Sequence, residues 1–284
     1  MLSPENELWV DVEAFEEATA SARRSRNPVA YRAALEGHLS AKNLLAGEVR
    51  PEAGDHNLPA QRTSFIGRER EMVEVERALA ATRLLTLTGA GGSGKTRFAL
   101  EVARDLVGAY ADGVRLVELA SLPEEGLVPQ VVARTLGVKE HSGRTLTEVL
   151  VEALHDKNML MILDNREHLV EATARLADAL LDNCPRLRTF ATSREALNVA
   201  GETVWLVPPL PVPGPQISPT VEELERYGAT RLFLERASDR DPRFSPGPAN
   251  AGVIAEIFRR LDGISLAIEL AAARVGILSL EQIS

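Results

Sequence analysis

The sequence predicts an α/β fold: a parallel β-sheet with helices on both faces, flanked by an N-terminal helical segment and a C-terminal all-helical module. Three observations predict it. Between residues 68 and 207, short apolar or β-branched runs alternate with helical patterns, as in strands joined by helical crossovers. The run Leu84–Thr88 leads directly into Gly89-Ala90-Gly91-Gly92-Ser93-Gly94-Lys95-Thr96, a complete G-x-x-x-x-G-K-[ST] pattern, and an Ala- and Leu-containing helix follows. A later apolar run, Leu160–Asp164, ends in one carboxylate. In such a sheet, active groups belong at the C-terminal strand ends, and Gly89, Asp164 and Arg194 each fall at or just after one.

The elements follow in order. Residues 11–25 place Val12, Phe15, Ala18 and Ala22 at helical spacing, with acids in the first turn and Arg23, Arg24 and Arg26 near the end. Pro28 stops that helix, and 29–45 offers a second. The arginines suit a helix C-terminus; contact with a phosphate backbone is the alternative. Two helices bury little surface alone, so they need a partner or belong to something larger. Residues 47–61 are polar, hold two prolines and read as a linker. Residues 68–81 form a helix with Met72, Val75 and Leu79 inward, capped by Ser64 or Thr63. After the glycine loop come a helix at 96–110, a strand at 113–119, helices at 124–136 and 146–157, and a strand at 158–164. A helix at 169–183 and strands at 187–192 and 203–207 complete the alternation. Residues 208–219 hold six of the chain's 16 prolines and read as a stiff connector. Beyond it no strand pattern occurs; 221–237, 249–261 and 266–275 read as helices, and another begins at 280. The expected organisation is a helical segment at 1–50, a linker at 51–62, a nucleotide-binding domain at 63–212 and a helical lid at 213–284.

The glycine loop carries the first chemistry. Glycines let backbone N–H groups pack against a polyphosphate without Cβ clashes, and the helix that follows points its positive end at the same phosphates. Lys95 suits the β- and γ-phosphates, and the Thr96 hydroxyl suits Mg²⁺. Gly89, Ala90, Gly91, Gly92, Ser93, Gly94, Lys95, Thr96 and Arg97 are the expected loop contacts, with ATP or ADP and Mg²⁺ as cofactors. Asp164 suits the second metal-holding position, beside Thr96; a turn-forming acid at a strand end is the plainer alternative. Asn165 stands where fast ATPases of this sort place glutamate. An amide orients water but cannot take its proton, so slow or partner-dependent hydrolysis is expected. Glu167 is a fallback base, although turn solvation is the commoner role. Arg194 suits the γ-phosphate by its fork geometry and permanent charge; a solvated arginine at a helix start is the alternative. His168 reads as a helix N-terminal polar residue.

Composition and pattern exclude other classes. A net charge of -9 argues against this segment as a whole being a nucleic-acid surface. Cys184 is the only cysteine, so no internal disulfide forms, which fits a cytoplasmic location. The first residues lack a basic-then-apolar leader pattern, and no apolar run approaches the ~20 residues of a membrane span. No H-E-x-x-H, paired cysteines or G-x-S-x-G occurs. No N-K-x-D follows the loop, so adenine is favoured over guanine.

Five segments in order, FIGRERE (65–71), GAGGSGKTRFAL (89–100), LMILDNREHL (160–169), TFATSREAL (189–197) and LDGISLAIELAAARV (261–275), resemble the signatures of the NB-ARC, or STAND, signalling ATPases. That group includes apoptosome ATPases, plant disease-resistance proteins and large actinobacterial transcriptional regulators. The resemblance covers roughly residues 58–284. It implies a P-loop NTPase sheet of order 2-3-4-1-5 and an ADP/ATP switch. It places Ile66 and Arg68 near the adenine and ribose, Arg194 at the γ-phosphate, and the 263–267 segment with Ser265 on the adenine. Ser265 stands where proline is usual, Ile264 where leucine is usual, and Arg166 where close bacterial relatives have cysteine. Residues 7–50 resemble, more weakly, part of a helical bacterial activator domain. The implied chain is a fragment of a regulator or a shortened one, whose partners are nucleotide and other domains or protomers, with DNA contacted elsewhere and no membrane association. A metabolic P-loop kinase, or a nucleotide-binding scaffold without turnover, are the competing expectations.

Overall fold

The computed structural model describes residues 54–120, 122–164, 167–214, 220–247 and 250–283. The two helices expected at 11–25 and 29–45, and the candidate water-orienting residue Asn165, lie outside the described residues. Five parallel strands form one sheet: β1 (Leu84–Thr88), β2 (Val114–Glu118), β3 (Leu160–Asp164), β4 (Arg188–Thr192) and β5 (Glu202–Leu206). Their order is 2-3-4-1-5, as expected.

Strand periodicity assigns each face. On β3, Leu160 and Ile162 join one core with Leu85, Leu87 and Phe190, under α1 (Glu69–Ala81) and α2 (Lys95–Asp105). Met161 and Leu163 point the other way. They pack with Leu84 and Ala191 against α3 (Val128–Leu136), α4 (Leu146–Leu154) and α5 (Val170–Asn183). Both faces are therefore buried, which is why β1 and β3 read as continuous apolar runs. Parity then fixes Asp164 and Thr192 on the α2 face, each two residues beyond Ile162 and Phe190.

A third core lies within the C-terminal helices: α6 (Val221–Leu224), α7 (Gly228–Arg240), α8 (Ala251–Arg260), α9 (Ser265–Ala272) and α10 (Leu280–Ile283). Phe233 sits at its centre, edge-on to Phe244 and Phe258.

Several expectations are corrected. The helix read at 221–237 is two helices. Tyr227 is extended, and Gly228 backs directly onto Gly67, where an added Cβ would sit 3.1 Å from the Gly67 Cα. The helix read at 96–110 ends at Asp105, and a 3₁₀ turn follows at Val107–Ala109. The helix read from 124 starts with a 3₁₀ turn, Glu125–Leu127, before Pro129 enters the first turn of α3. Part of the stretch read as a linker lies along the outer edge of β2. His56 bridges Val114, and the Asn57 amide brackets Leu116, donating to its carbonyl at 2.8 Å and accepting from its N–H at 2.6 Å. An amide side chain there occupies hydrogen-bonding groups that an edge strand would leave open.

Candidate functional site

The loop after β1 turns on glycines at positive φ: Gly89 at 140°, Gly92 at 77° and Gly94 at 85°. Gly94 is the left-handed cap from which α2 starts, so the unpaired N–H groups of the first helical turn face the loop. At Gly89 an added Cβ would lie 3.2 Å from the Val207 carbonyl, so the turn tolerates little bulk. The Ser93 N–H closes a turn onto the Ala90 carbonyl at 3.2 Å. Its hydroxyl is buried and has no hydrogen-bond partner among the described residues. The Lys95 ammonium reaches back across the loop and donates to the carbonyls of Gly89 and Ala90, each at 2.9 Å.

Asp164 stands where parity and register put it. The Thr96 hydroxyl donates to Asp164 Oδ1 at 2.7 Å, and the Thr192 hydroxyl donates to the same oxygen. Thr192 and Asp164 are register partners, and Leu87, three residues before the loop's Ala90, pairs Thr192 from the other side. The C-terminal ends of β3 and β4 thus meet the start of α2 at one carboxylate, with β1 alongside β4. Thr192, 2% exposed, escaped notice in the sequence because a threonine at a strand end is commonplace. Its signal was the sheet order, which makes β4 the strand between the loop strand and Asp164.

Arg194 lies over the loop on its exposed side, its Nη2 3.3 Å from the position a Gly91 Cβ would take. Arg68 is 3% exposed. It donates to the Ser93 carbonyl at 2.9 Å and the Pro208 carbonyl at 2.8 Å, and its guanidinium lies 5.8 Å from the Phe98 ring centre. Burial pulls its pKa below the usual guanidinium range, against the raising influence of Glu71. Arg68 therefore braces the loop from behind.

The C-terminal helices close the site from above. The Leu266 N–H, at the start of α9, donates to the Gly92 carbonyl at 3.0 Å, and the Ser265 hydroxyl reaches the Ser93 carbonyl at 3.5 Å. A Cβ on Gly92 would come within 3.0 Å of the Leu266 Cβ. A cavity of about 320 Å³ lies between the two parts. Ile66 and Arg68 line one wall, Gly92, Gly94, Lys95, Thr96 and Arg97 the floor, and Ser265, Leu266 and Glu269 the opposite wall. Gly89, Ala90, Gly91, Ser93, Asp164 and Arg194 are outside that lining. Arg97 and Arg236 share Glu269 Oε1, at 3.4 and 3.3 Å, and both donate to the Ser64 carbonyl. Burial lowers the pKa of Arg97, and the like charge of Arg236 adds to it. This Arg97–Glu269–Arg236 set was also missed in the sequence, because its members are 139 and 33 residues from one another along the chain.

The residues present suit a magnesium–nucleotide group. The Thr96 hydroxyl and Asp164 carboxylate are hard oxygen donors at one point, and the buried Ser93 hydroxyl lacks a partner among the described residues. Among the described residues no group of three or more His, Cys, Asp or Glu gathers for a metal, and no helix is long and apolar enough to cross a membrane.

No family model matches the chain. Over 197 residues it is 44% identical to a Mycobacterium tuberculosis protein named "Putative HTH-type transcriptional regulator Rv0890c", covering 69% of this chain and 21% of that one. Over 224 residues it is 38% identical to an uncharacterized M. tuberculosis protein, covering 79% of this chain and 54% of that one. The chain thus spans about a fifth and about half of these relatives. Among solved structures it is similar to a STAND protein with a tetratricopeptide repeat sensor from Pyrococcus horikoshii, at 13% identity and a TM-score of 0.50, over 75% of this chain and 30% of that one. That likeness is one of fold. The sheet order, the glycine loop and the flanking helices are those of the P-loop NTPase fold.

Proposed function

We propose that the chain is a nucleotide switch of the NB-ARC or STAND kind, binding ATP and ADP with Mg²⁺ within a transcriptional regulator. The observation that carries this reading is the contact of Thr96 with Asp164 at the mouth of the glycine loop. A hydroxyl and a carboxylate held together there supply protein ligands for a magnesium ion, which takes its remaining ligands from phosphate oxygens and water. Lys95 serves the β- and γ-phosphates once its hold on the loop carbonyls is exchanged, and Arg194 senses the γ-phosphate. Ile66, the Arg68 segment and Ser265 face the base and ribose. Residues 63–212 act as the nucleotide-binding domain and 213–284 as its lid. The lid's start on the Gly92 carbonyl supports a coupling between loop occupancy and lid position. Hydrolysis is slow, since the neighbour of Asp164 is Asn165, an amide that cannot take a proton. The HTH-type name of one mycobacterial relative supports a role in transcription, with DNA contacted outside this acidic segment.

The test is direct. Purified protein is denatured, and the supernatant is analysed for released nucleotide; melting is then followed with ADP, ATP and GTP, with and without Mg²⁺. The expected result is released ADP and a higher melting temperature with adenine nucleotides, abolished in Lys95→Ala. No released nucleotide together with no shift overturns the reading.

A further inference from the structure

The opposite pole of the sheet carries a second polar cavity, of about 290 Å³, lined by Arg83, Asn158, Pro185, Arg186 and Arg188. Arg83 immediately precedes β1, Asn158 lies just before β3, and Arg188 opens β4. The cavity therefore sits at the N-terminal strand ends. The glycine loop leaves the other end of β1, about 16 Å away at about 3.3 Å per residue, so one small ligand cannot serve both.

Three guanidiniums meet here in a chain whose net charge is -9. Among the described residues none of the three has a carboxylate at ion-pair distance. The Arg83 Nη1 donates to the Leu181 carbonyl at 2.7 Å. The Arg188 Nη1 donates to the Leu79 carbonyl at 2.8 Å and to the Thr82 carbonyl. Those carbonyls belong to the ends of α5 and α1, whose negative dipole ends hold the two cations in place. Each guanidinium has five N–H donors, so these bonds use only part of its capacity. Arg186 is different: it is exposed and makes no hydrogen bond among the described residues, so helix-end neutralisation does not account for it. Asp112, at the same pole, accepts from the Lys157 ammonium at 2.9 Å and the Asn158 N–H at 2.8 Å, and feels the Arg186 charge from beyond ion-pair distance.

We propose that this cavity is an oxyanion site for a phosphate or diphosphate group, separate from the glycine loop. Two carbonyl-anchored guanidiniums and one mobile-length side chain present forks that match tetrahedral oxyanions, and the Asn158 amide adds a neutral donor. Its size admits a phosphate or diphosphate.

The experiment follows the arginine Nε–Hε resonances of the full chain by NMR while inorganic phosphate, then diphosphate, is added at constant ionic strength. Saturable shifts are expected at Arg83, Arg186 and Arg188. None is expected at Arg175, which pairs with Glu125 and Glu171. Arg186→Ala, an exposed change that leaves the melting temperature in place, weakens binding about tenfold, and Arg186→Lys recovers part of it. Adding AMP separates the sources. Competition with diphosphate at these resonances supports a site that accepts a nucleotide's phosphate; no competition supports a site for the free ion. Shifts that rise without saturating and appear equally at Arg175, or undiminished affinity in both Arg186→Ala and Arg83→Ala, overturn the proposal.

Discussion

At the scale of single residues, the loop depends on groups that hold its shape without lying in it. Arg68 is the clearest. Its charge is buried, and two carbonyls, one on the loop and one on the segment leading to the helical cap, take its hydrogens. Arg68→Ala removes the guanidinium donor from both carbonyls, leaving that of Ser93 with only the long Ser265 contact, and opens a cavity beside Phe98. A loss of about 2–4 kcal/mol in unfolding free energy is expected, read from urea denaturation. Arg68→Lys recovers little, because one ammonium cannot span both carbonyls as a fork does. The glycine pattern, Lys95, Thr96 and Asp164 were legible in the sequence because their chemistry fixes residue type and spacing together. Arg68 was legible only as a neighbour of the site. Its work as a brace depends on the turn of residues 65–68 beneath the loop, which no local pattern encodes.

At the scale of elements, strands were read within a residue or two: β1 and β3 are buried on both faces and leave an apolar signature, while the more exposed edge strand β5 was read from its β-branched and aromatic residues. Helix ends were read less well. Gly228 splits one expected helix because the backbone of Gly67 must pass against it, a contact 161 residues away in sequence that no helical periodicity reveals. The turn before α9 is set in the same way. Gly263 lies at φ 68°, and its Cβ would fall 2.1 Å from the Leu210 carbonyl. The Leu210 N–H also donates to the Gly263 carbonyl at 2.9 Å, which pins the proline-rich connector to the start of α9. Gly263→Ala forces both a left-handed alanine and a backbone displacement. It is expected to cost about 3 kcal/mol or more and to raise hydrogen exchange first in α9, with the sheet protected longer. Equal loss of protection in the sheet and the C-terminal helices would contradict the separate third core.

At the scale of the molecule, the sheet gathers β3, β4, β1 and α2 at one pole and the arginine cavity at the other. Asp112 helps close the second pole. The Lys157 hydrogen bond, foremost, with the Asn158 N–H and the charges of Lys157 and Arg186, holds its carboxyl below the usual aspartate range, against the raising effect of burial. A carboxylate whose folded pKa is depressed stabilises the fold fully above its unfolded value, about pH 4, and loses that contribution as pH falls through the folded pKa. Glu69 acts in the same sense. Burial raises its pKa, but hydrogen bonds from its own N–H, Arg231 and Gly67 outweigh that and lower it. Melting temperature is therefore expected to fall between pH 5 and pH 3, and Asp112→Asn should flatten that acid limb while changing little near pH 7. A steeper acid limb in the variant would contradict the assignment.

The central claim is that the glycine loop, Lys95 and the Thr96–Asp164 pair together form a magnesium-dependent adenine nucleotide site. Isothermal titration of ADP into the intact chain, with and without Mg²⁺, tests it most directly when repeated on Asp164→Asn and Lys95→Ala. The account predicts saturable binding that Mg²⁺ tightens, loss of the Mg²⁺ effect in Asp164→Asn, and loss of binding in Lys95→Ala. Binding of equal strength in all three proteins, or no heat in any, would contradict it.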